Sequence, residues 1–529
     1  MDFFKGIFGK GEVKKLLNFA TEKYNTGNYT EALEFYDKVI AIDGNSSQAY
    51  YGRALCRLNL GEFSDAISGF NKTIQLDPEF SAGIYYDRAV ARIKSNDKDG
   101  ALNDLNKYLS NNSGNAQAFY QRGLIRESLN DLQRAVEDYQ EAVRNDPGCE
   151  EAYYALGHVK FRLKDYKKAL LDLNSATEIN PNHADPFFYK GLIQIELGNF
   201  VKAESELRRV ISISPKHHIE SLYNIAIAKN KRQDTEGSLL KISAILKMEP
   251  LFIKAYYLRA SIKLDKNDLE GADEEFSKII GLCPEDSSAY VERGNVRHTL
   301  FDYQGAMEDY SKATEMNPAL TELQFSLGLL EAKMENYDNA VKCFTKVIEQ
   351  QPDNAESYNQ RGIIRNIQKK YNEAIADFNK VLELSPENTV AFLNRGNSRS
   401  CLEDNHGALN DYTKAMINPN NSEAYIRRGN IKSKLNDHYG AYADYTKAIH
   451  LDPKDAFKYF CRAKASKTLE NYNVAIDDLN KAVILNNGFA EAFFLRARIY
   501  YDLKNYRNST NDLETATKLN PRIRETNNF

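Results

Sequence analysis

Residues 150–183 read EEAYYALGHVKFRLKDYKKALLDLNSATEINPNH, and this stretch decides the fold. Tyr153, Leu156 and Gly157 recur at helical spacing, and Phe161 and Leu163 continue the apolar pattern. Lys164-Asp165 interrupt it before a second helical pattern of Tyr166, Ala169, Leu170, Leu173 and Ala176. Asn180-Pro181 then stops that helix, because Pro cannot continue one and biases its predecessor away from helical geometry. The segment therefore predicts a helix–turn–helix unit 34 residues long.

The same register extends in both directions from Val13 to Ile523, giving 15 units. Numbered from the N-terminus, repeats 1–15 begin at residues 13, 47, 82, 116, 150, 184, 219, 253, 287, 321, 355, 389, 422, 456 and 490. At place eight all 15 carry Ala or Gly, from Ala20 and Ala54 to Gly429 and Ala497. Twelve residues later 13 carry Ala, and the other two carry Ser238 and Ser509. Side chains must shrink where two helices cross closely, so these small residues mark the crossing. Of 13 Pro, 12 close a repeat, and Pro186 lies in the first turn of a helix, where its missing N–H is tolerated.

These small, aromatic and Pro places make the chain resemble the tetratricopeptide-repeat family over nearly its whole length. The family's frequent early Trp is absent; Tyr or Phe often stands there, as in Tyr153 and Phe187. The resemblance implies an all-α fold, an α-solenoid of stacked antiparallel helix pairs forming a right-handed superhelix. First helices would line its concave groove and second helices its outer wall. It also implies protein or peptide segments as partners. The expected organisation is a cap or docking segment over residues 1–12, repeats 1–6 over 13–218, an irregular repeat 7 over 219–252, repeats 8–15 over 253–523, and a tail over 524–529. Ser81 and His218 are extra residues and the repeat ending near Asn421 is one short, so a bend near 219–252 is one reading and simple drift the other.

Composition narrows the function. Net charge is −4 with acids and bases interspersed, which gives no electrostatic case for nucleic acid. Six scattered Cys without a CxxC pair read as reduced thiols, and no secretory signal pattern opens the chain, so a cytoplasmic protein is expected. No phosphate-loop, metalloprotease or nucleophile-elbow motif occurs, and neither a catalytic centre, a cofactor nor a metal site is expected. His217-His218 reads as a surface pair at a helix junction.

The repeats also align with one another. Ten carry Arg at place seven, and nine of those ten carry an acid 16 residues later, as in Arg361 with Asp377. Lys190 with Glu206 repeats the pattern; Arg53 faces Gly69, and Asp172 stands opposite Leu156 without a cation. An ion pair joining the two helices of one repeat accounts for this better than an anion-binding groove, since the acid tracks the Arg.

Places five, nine and twelve share one face of the first helix. In repeats 2–6 they read Tyr51/Leu55/Leu58, Tyr86/Val90/Ile93, Tyr120/Leu124/Glu127, Tyr154/His158/Phe161 and Phe188/Leu192/Ile195; Tyr223 and Tyr257 extend the row. Such a stripe suits an extended peptide or amphipathic helix, or merely fills gaps between first helices. Later repeats turn polar, with Asn366, Asn397, Asn430, Lys464 and Lys467 on that face and Arg427 and Lys434 beside it. These amides could hold a peptide backbone and the cations an acidic partner; a solvated helix face is the plainer reading.

Near the N-terminus, Phe3, Phe4, Ile7 and Phe8 would cap the first repeat or dock to a membrane or partner. That alternative makes the chain a chaperone-like or assembly factor for a membrane or secreted complex. At the other end, Ser509, Thr510 and Thr517 suggest a polar terminal face.

Overall fold

A computed structural model describes the backbone of residues 2–523 and the side chains from Gly11 to Ile523. The docking residues Phe3, Phe4, Ile7 and Phe8 and the tail 524–529 therefore lie outside the described side chains. Thirty α-helices and one 3₁₀ turn, Pro215–His217, make up the described residues, two α-helices to each repeat. Repeat 5 comprises Glu150–Arg162 and Tyr166–Ile179, as its pattern predicts.

The turn between the helices rests on one residue in the left-handed region. Twelve of these are not Gly, Lys164 (φ 60°) and Phe301 (φ 63°) among them; Gly27, Gly61 and Gly198 fill the same place elsewhere. In nine repeats the side chain of the next residue caps the second helix. Asp97 accepts the backbone N–H of Gly100 at 2.9 Å and Asp302 that of Gly305 at 3.0 Å, which satisfies a donor the helix itself leaves open.

The small residues do what their register requires. A Cβ on Gly123 would lie 2.5 Å from the Tyr139 ring, and one on Gly157 2.6 Å from Leu173. Ser238 is fully buried and donates to the Ala226 carbonyl oxygen at 2.8 Å, so it closes repeat 7 as Ala closes the others. Ser509 does likewise toward Ala497 at 2.9 Å and is buried, which corrects its assignment to an exposed terminal face.

The chain divides into two compact halves, Met1–Ile262 and Lys263–Phe529. Within each, a second helix packs on its own first helix and on the next one. First helices also meet the following first helix, as Glu150–Arg162 meets Ala184–Glu196 and Thr321–Lys333 meets Ala355–Ile367. They form the more closely spaced layer, and the second helices form the wall.

The Arg–acid pairs are present in repeats 3, 4, 9, 11, 12, 13, 14 and 15. Arg293 meets Asp309 through Nη2 at 2.6 Å and Nε at 3.0 Å, a bidentate fork. Lys190 reaches Glu206 at 3.2 Å. The geometry adds two partners that the pair pattern omits. A second cation at place 11 shares the acid, as Arg297 does Asp309 at 3.0 Å and Arg365 does Asp377 at 2.7 Å. The remaining Arg nitrogen donates to place 25 of the preceding wall helix, as Arg293 does to Ser277 (3.0 Å) and Arg395 to Asn379 (2.6 Å). One arginine thus ties three helices and two repeats.

Two readings need correction. Asp172 is not without a cation: Lys160, at place 11, meets it at 2.6 Å. Arg53, without an acid ahead, turns back to Asp37 of repeat 1 at 2.8 Å. Burial pushes the Asp138 carboxyl above the usual range although Arg122 and Arg126 pull it down, so desolvation absorbs much of what the ion pairs give.

Candidate functional site on the first-helix face

Each aromatic at place five is partly buried by its own repeat. Tyr51 packs at a tilt near Phe80 at 5.1 Å between ring centres, Tyr86 near Tyr108 at 5.2 Å and Tyr120 near Tyr139 at 5.9 Å, and Tyr223 meets Phe252 edge-on at 5.5 Å. Tyr51 also donates its hydroxyl to Asp87 of the next repeat at 2.6 Å, and burial foremost pushes that hydroxyl's pKa up. Leu55, Val90, Phe161, Phe188, Leu192 and Tyr257 are half-buried, and Leu124 is exposed. The stripe is therefore partly packing, with an accessible margin on every repeat.

Its densest part joins repeats 5 and 6. The Tyr154 ring lies 5.0 Å from His183 and 6.1 Å from Tyr189, and His158 lies 4.7 Å from Tyr189. Three imidazoles there face carboxylates: His158 and Glu127 at 3.2 Å, His183 and Glu150 at 2.6 Å, His217 and Asp185 at 3.0 Å. Burial pushes the Glu127 carboxyl up, but hydrogen bonds from His158, Tyr139 and Arg162 bring it below the usual range. Glu127, Glu150, His183, Asp185 and His217 went unselected in the sequence. Glu127 stood in the stripe itself, whereas the others sit at repeat starts and ends, where the three-place pattern does not look.

In the later repeats the amides serve the scaffold first. Asn366 accepts from Ser398 at 2.7 Å, Asn397 from Tyr412 at 2.8 Å and Asn430 from Tyr445 at 2.8 Å. Their oxygens are thus engaged by the protein, and the NH₂ groups remain as donors. Arg427 bonds Glu423 at 2.6 Å, Lys464 lies 5.8 Å from the centre of the Phe460 ring, and Lys467 comes within 3.6 Å of Asp502. Lys434 is exposed. The polar residues occupy one face of successive repeats, and only Lys434 among them is without a partner of its own.

Among the described residues no group of three or more His, Cys, Asp or Glu is placed to hold a metal ion. All six Cys are free thiols. No described helix is long and apolar enough to cross a membrane.

Known proteins resemble the chain through its repeats. Tetratricopeptide-repeat models match residues 17–79, 86–149, 150–183, 253–286, 287–320, 321–354, 355–388, 422–455 and 490–523. The single-repeat matches begin and end where repeats 5, 8, 9, 10, 11, 13 and 15 do. A tetratricopeptide repeat and J domain-containing co-chaperone of Fusarium oxysporum f. sp. lycopersici is 37% identical over 89 residues, 17% of this chain and 17% of that protein. FK506-binding protein 59 of Drosophila melanogaster is 36% identical over 72 residues, 13% of this chain and 16% of that protein. The matched segments thus span less than a fifth of either relative. Among solved structures, the APC/C hetero-tetramer Cut9–Hcn1 aligns over 92% of this chain and 96% of its own, at 18% identity and a TM-score of 0.33. With repeat models matched along most of its length and two packed helices in every repeat, the chain belongs to the tetratricopeptide-repeat family.

Proposed function

We propose that the chain is a non-catalytic scaffold that holds polypeptide segments of partner proteins along its first-helix face. The observation that carries this reading is the aromatic row Tyr51, Tyr86, Tyr120, Tyr154, Phe188 and Tyr223, half-buried in six successive repeats. Half-burial fixes the rings while leaving part of each to a ligand, so little side-chain entropy is lost on binding. The neighbouring Leu55, Val90, Leu124, His158, Phe161 and Leu192 supply apolar surface between them. An amphipathic helix or extended peptide matches a stripe of this spacing. In the later repeats, the amide NH₂ groups of Asn366, Asn397 and Asn430, with Lys434, Lys464 and Lys467, favour a more acidic segment.

Tyr51 holds Asp87 and is a poor choice for a test. Replacing Tyr86, Tyr120 and Tyr154 together by Ala should abolish partner capture in pull-downs while the helical signal stays near that of the parent. Undiminished capture by a folded triple variant would refute the assignment to repeats 3–5.

A further inference from the structure

Place 11 of the first helix is Lys or Arg in 11 of the 15 repeats and an acid in only one, Glu331 of repeat 10. In eight of those 11 repeats that cation reaches an acid at place 23. In repeat 10 place 23 is Cys343 and place 7 is Leu327, so its own pair has been replaced on both helices. Glu331 is only 8% exposed, and its Oε2 is buried without a hydrogen-bond partner.

That carboxylate lines a crevice of about 380 Å³ beneath the wall helices Tyr303–Met316 and Tyr337–Gln350, and an adjoining one of about 250 Å³ over Cys343. Ser311 lines both. It occupies place 25 of repeat 9, the position that receives an arginine nitrogen in the paired repeats, as Ser277 does from Arg293 at 3.0 Å. Leu327 supplies no such nitrogen. The crevice is therefore an arginine seat without its arginine, and beside it lies a buried carboxyl oxygen without a donor.

We propose that this crevice takes the guanidinium of an arginine presented by a partner polypeptide, with Glu331 as its counter-ion. A planar fork of N–H donors suits a buried carboxylate and a nearby hydroxyl better than a strongly hydrated ammonium does. Burial foremost pushes the Cys343 thiol up to about 11, so it is neutral at physiological pH and does not compete for the cation. The walls carry Lys312, Lys342 and Lys346 together with Glu308 and Glu315, and Lys312 is paired with Glu315 at 3.7 Å, so Lys342 and Lys346 are the cations that favour acidic residues flanking the arginine. The site is on the wall side and stands independently of the first-helix face.

The test uses the full chain and the capped peptide acetyl-Asp-Gly-Arg-Gly-Asp-amide. Backbone hydrogen exchange in Thr321–Lys333 and Tyr337–Gln350 is followed by site-resolved mass spectrometry, with Thr389–Cys401 as internal control. The peptide should slow exchange in the first two helices and not in the third. Its citrulline and lysine counterparts should need about tenfold or more higher concentration for equal protection, the loss expected for a charge-assisted hydrogen bond. Glu331→Gln should remove the protection, and Leu327→Arg, which fills the seat from within, should remove it by another route while the chain remains folded. Equal protection by the citrulline peptide, or full protection in a folded Glu331→Gln variant, would overturn the proposal. Free arginine acting as well as the peptide would overturn its assignment to a polypeptide.

Discussion

Repeats 9 and 10 are neighbours with the same helices and opposite chemistry at the crossing. In repeat 9, Arg293 and Arg297 converge on Asp309, and Asp302 caps the wall helix. In repeat 10 the corresponding residues are Leu327, Glu331, Cys343 and Asn336, and the Asn336 side chain makes no capping bond. Both keep the small residue, Gly294 or Gly328, with an aromatic ring against it. The stack thus requires close helix approach everywhere, whereas the charged tie is dispensable in a repeat that keeps its ring.

The largest expected difference follows from removing the acid. Asp309→Ala leaves two guanidiniums facing each other in a site where Asp309 is 2% exposed, and should destabilise repeat 9 by about 3–5 kcal/mol. Cys343→Ala, at the same place in repeat 10, should cost about 1 kcal/mol. Hydrogen exchange resolved by repeat checks both, since each repeat contacts mainly its neighbours. Equal losses would break the comparison.

Next comes a change that should not distinguish the two. A Cβ on Gly294 would stand 2.5 Å from the Tyr310 ring, and one on Gly328 2.8 Å from the Phe344 ring. Gly294→Ala and Gly328→Ala should each cost about 1–3 kcal/mol by overpacking. Denaturant melts of the two variants that differ widely would mean the charge network stiffens the crossing in repeat 9.

The sequence shows why these effects separate. Periodicity exposed the helix pairs, the small residues and the place 7–place 23 tie, because each depends on a fixed spacing within one repeat. The same reading missed Arg297 and the Ser277 contact of Arg293, which require knowing how consecutive repeats dock. It left Asp172 without the cation that Lys160, 12 residues earlier, supplies. The first-helix stripe was legible as a face, but not the part of it that the rings of Tyr108, Tyr139 and Phe252 already cover. Asn397 and Asn430 looked like open amides because their Tyr412 and Tyr445 donors come from the wall helix.

A smaller contrast lies at the helix start. Asp302→Ala removes the bond to the Gly305 N–H and should cost about 1 kcal/mol. Asn336→Asp should have the opposite sign, adding a few tenths of a kcal/mol through the helix dipole, because the wall helix of repeat 10 begins at Tyr337 without a side-chain cap. Melting of the paired variants checks the sign; destabilisation by Asn336→Asp would show that repeat 10 excludes a second acid near Glu331.

The smallest net effect is expected from writing repeat 9 into repeat 10. The triple variant Leu327→Arg, Glu331→Arg, Cys343→Asp recreates two cations on one acid and gives Ser311 an arginine donor. A buried ion network and a packed apolar site of similar volume are often close in free energy, because desolvation offsets the Coulombic gain. Stability should therefore change by no more than about 1 kcal/mol, although three buried residues have been replaced. Each single change should behave differently: Cys343→Asp alone buries a second unpaired acid beside Glu331 and should be the worst of the three. Recovery of stability from that single variant to the triple one, measured by denaturant unfolding, would establish that the three places act as one unit. A triple variant as unstable as Cys343→Asp would mean that the surrounding helices of repeats 9 and 10 have already settled around the open seat.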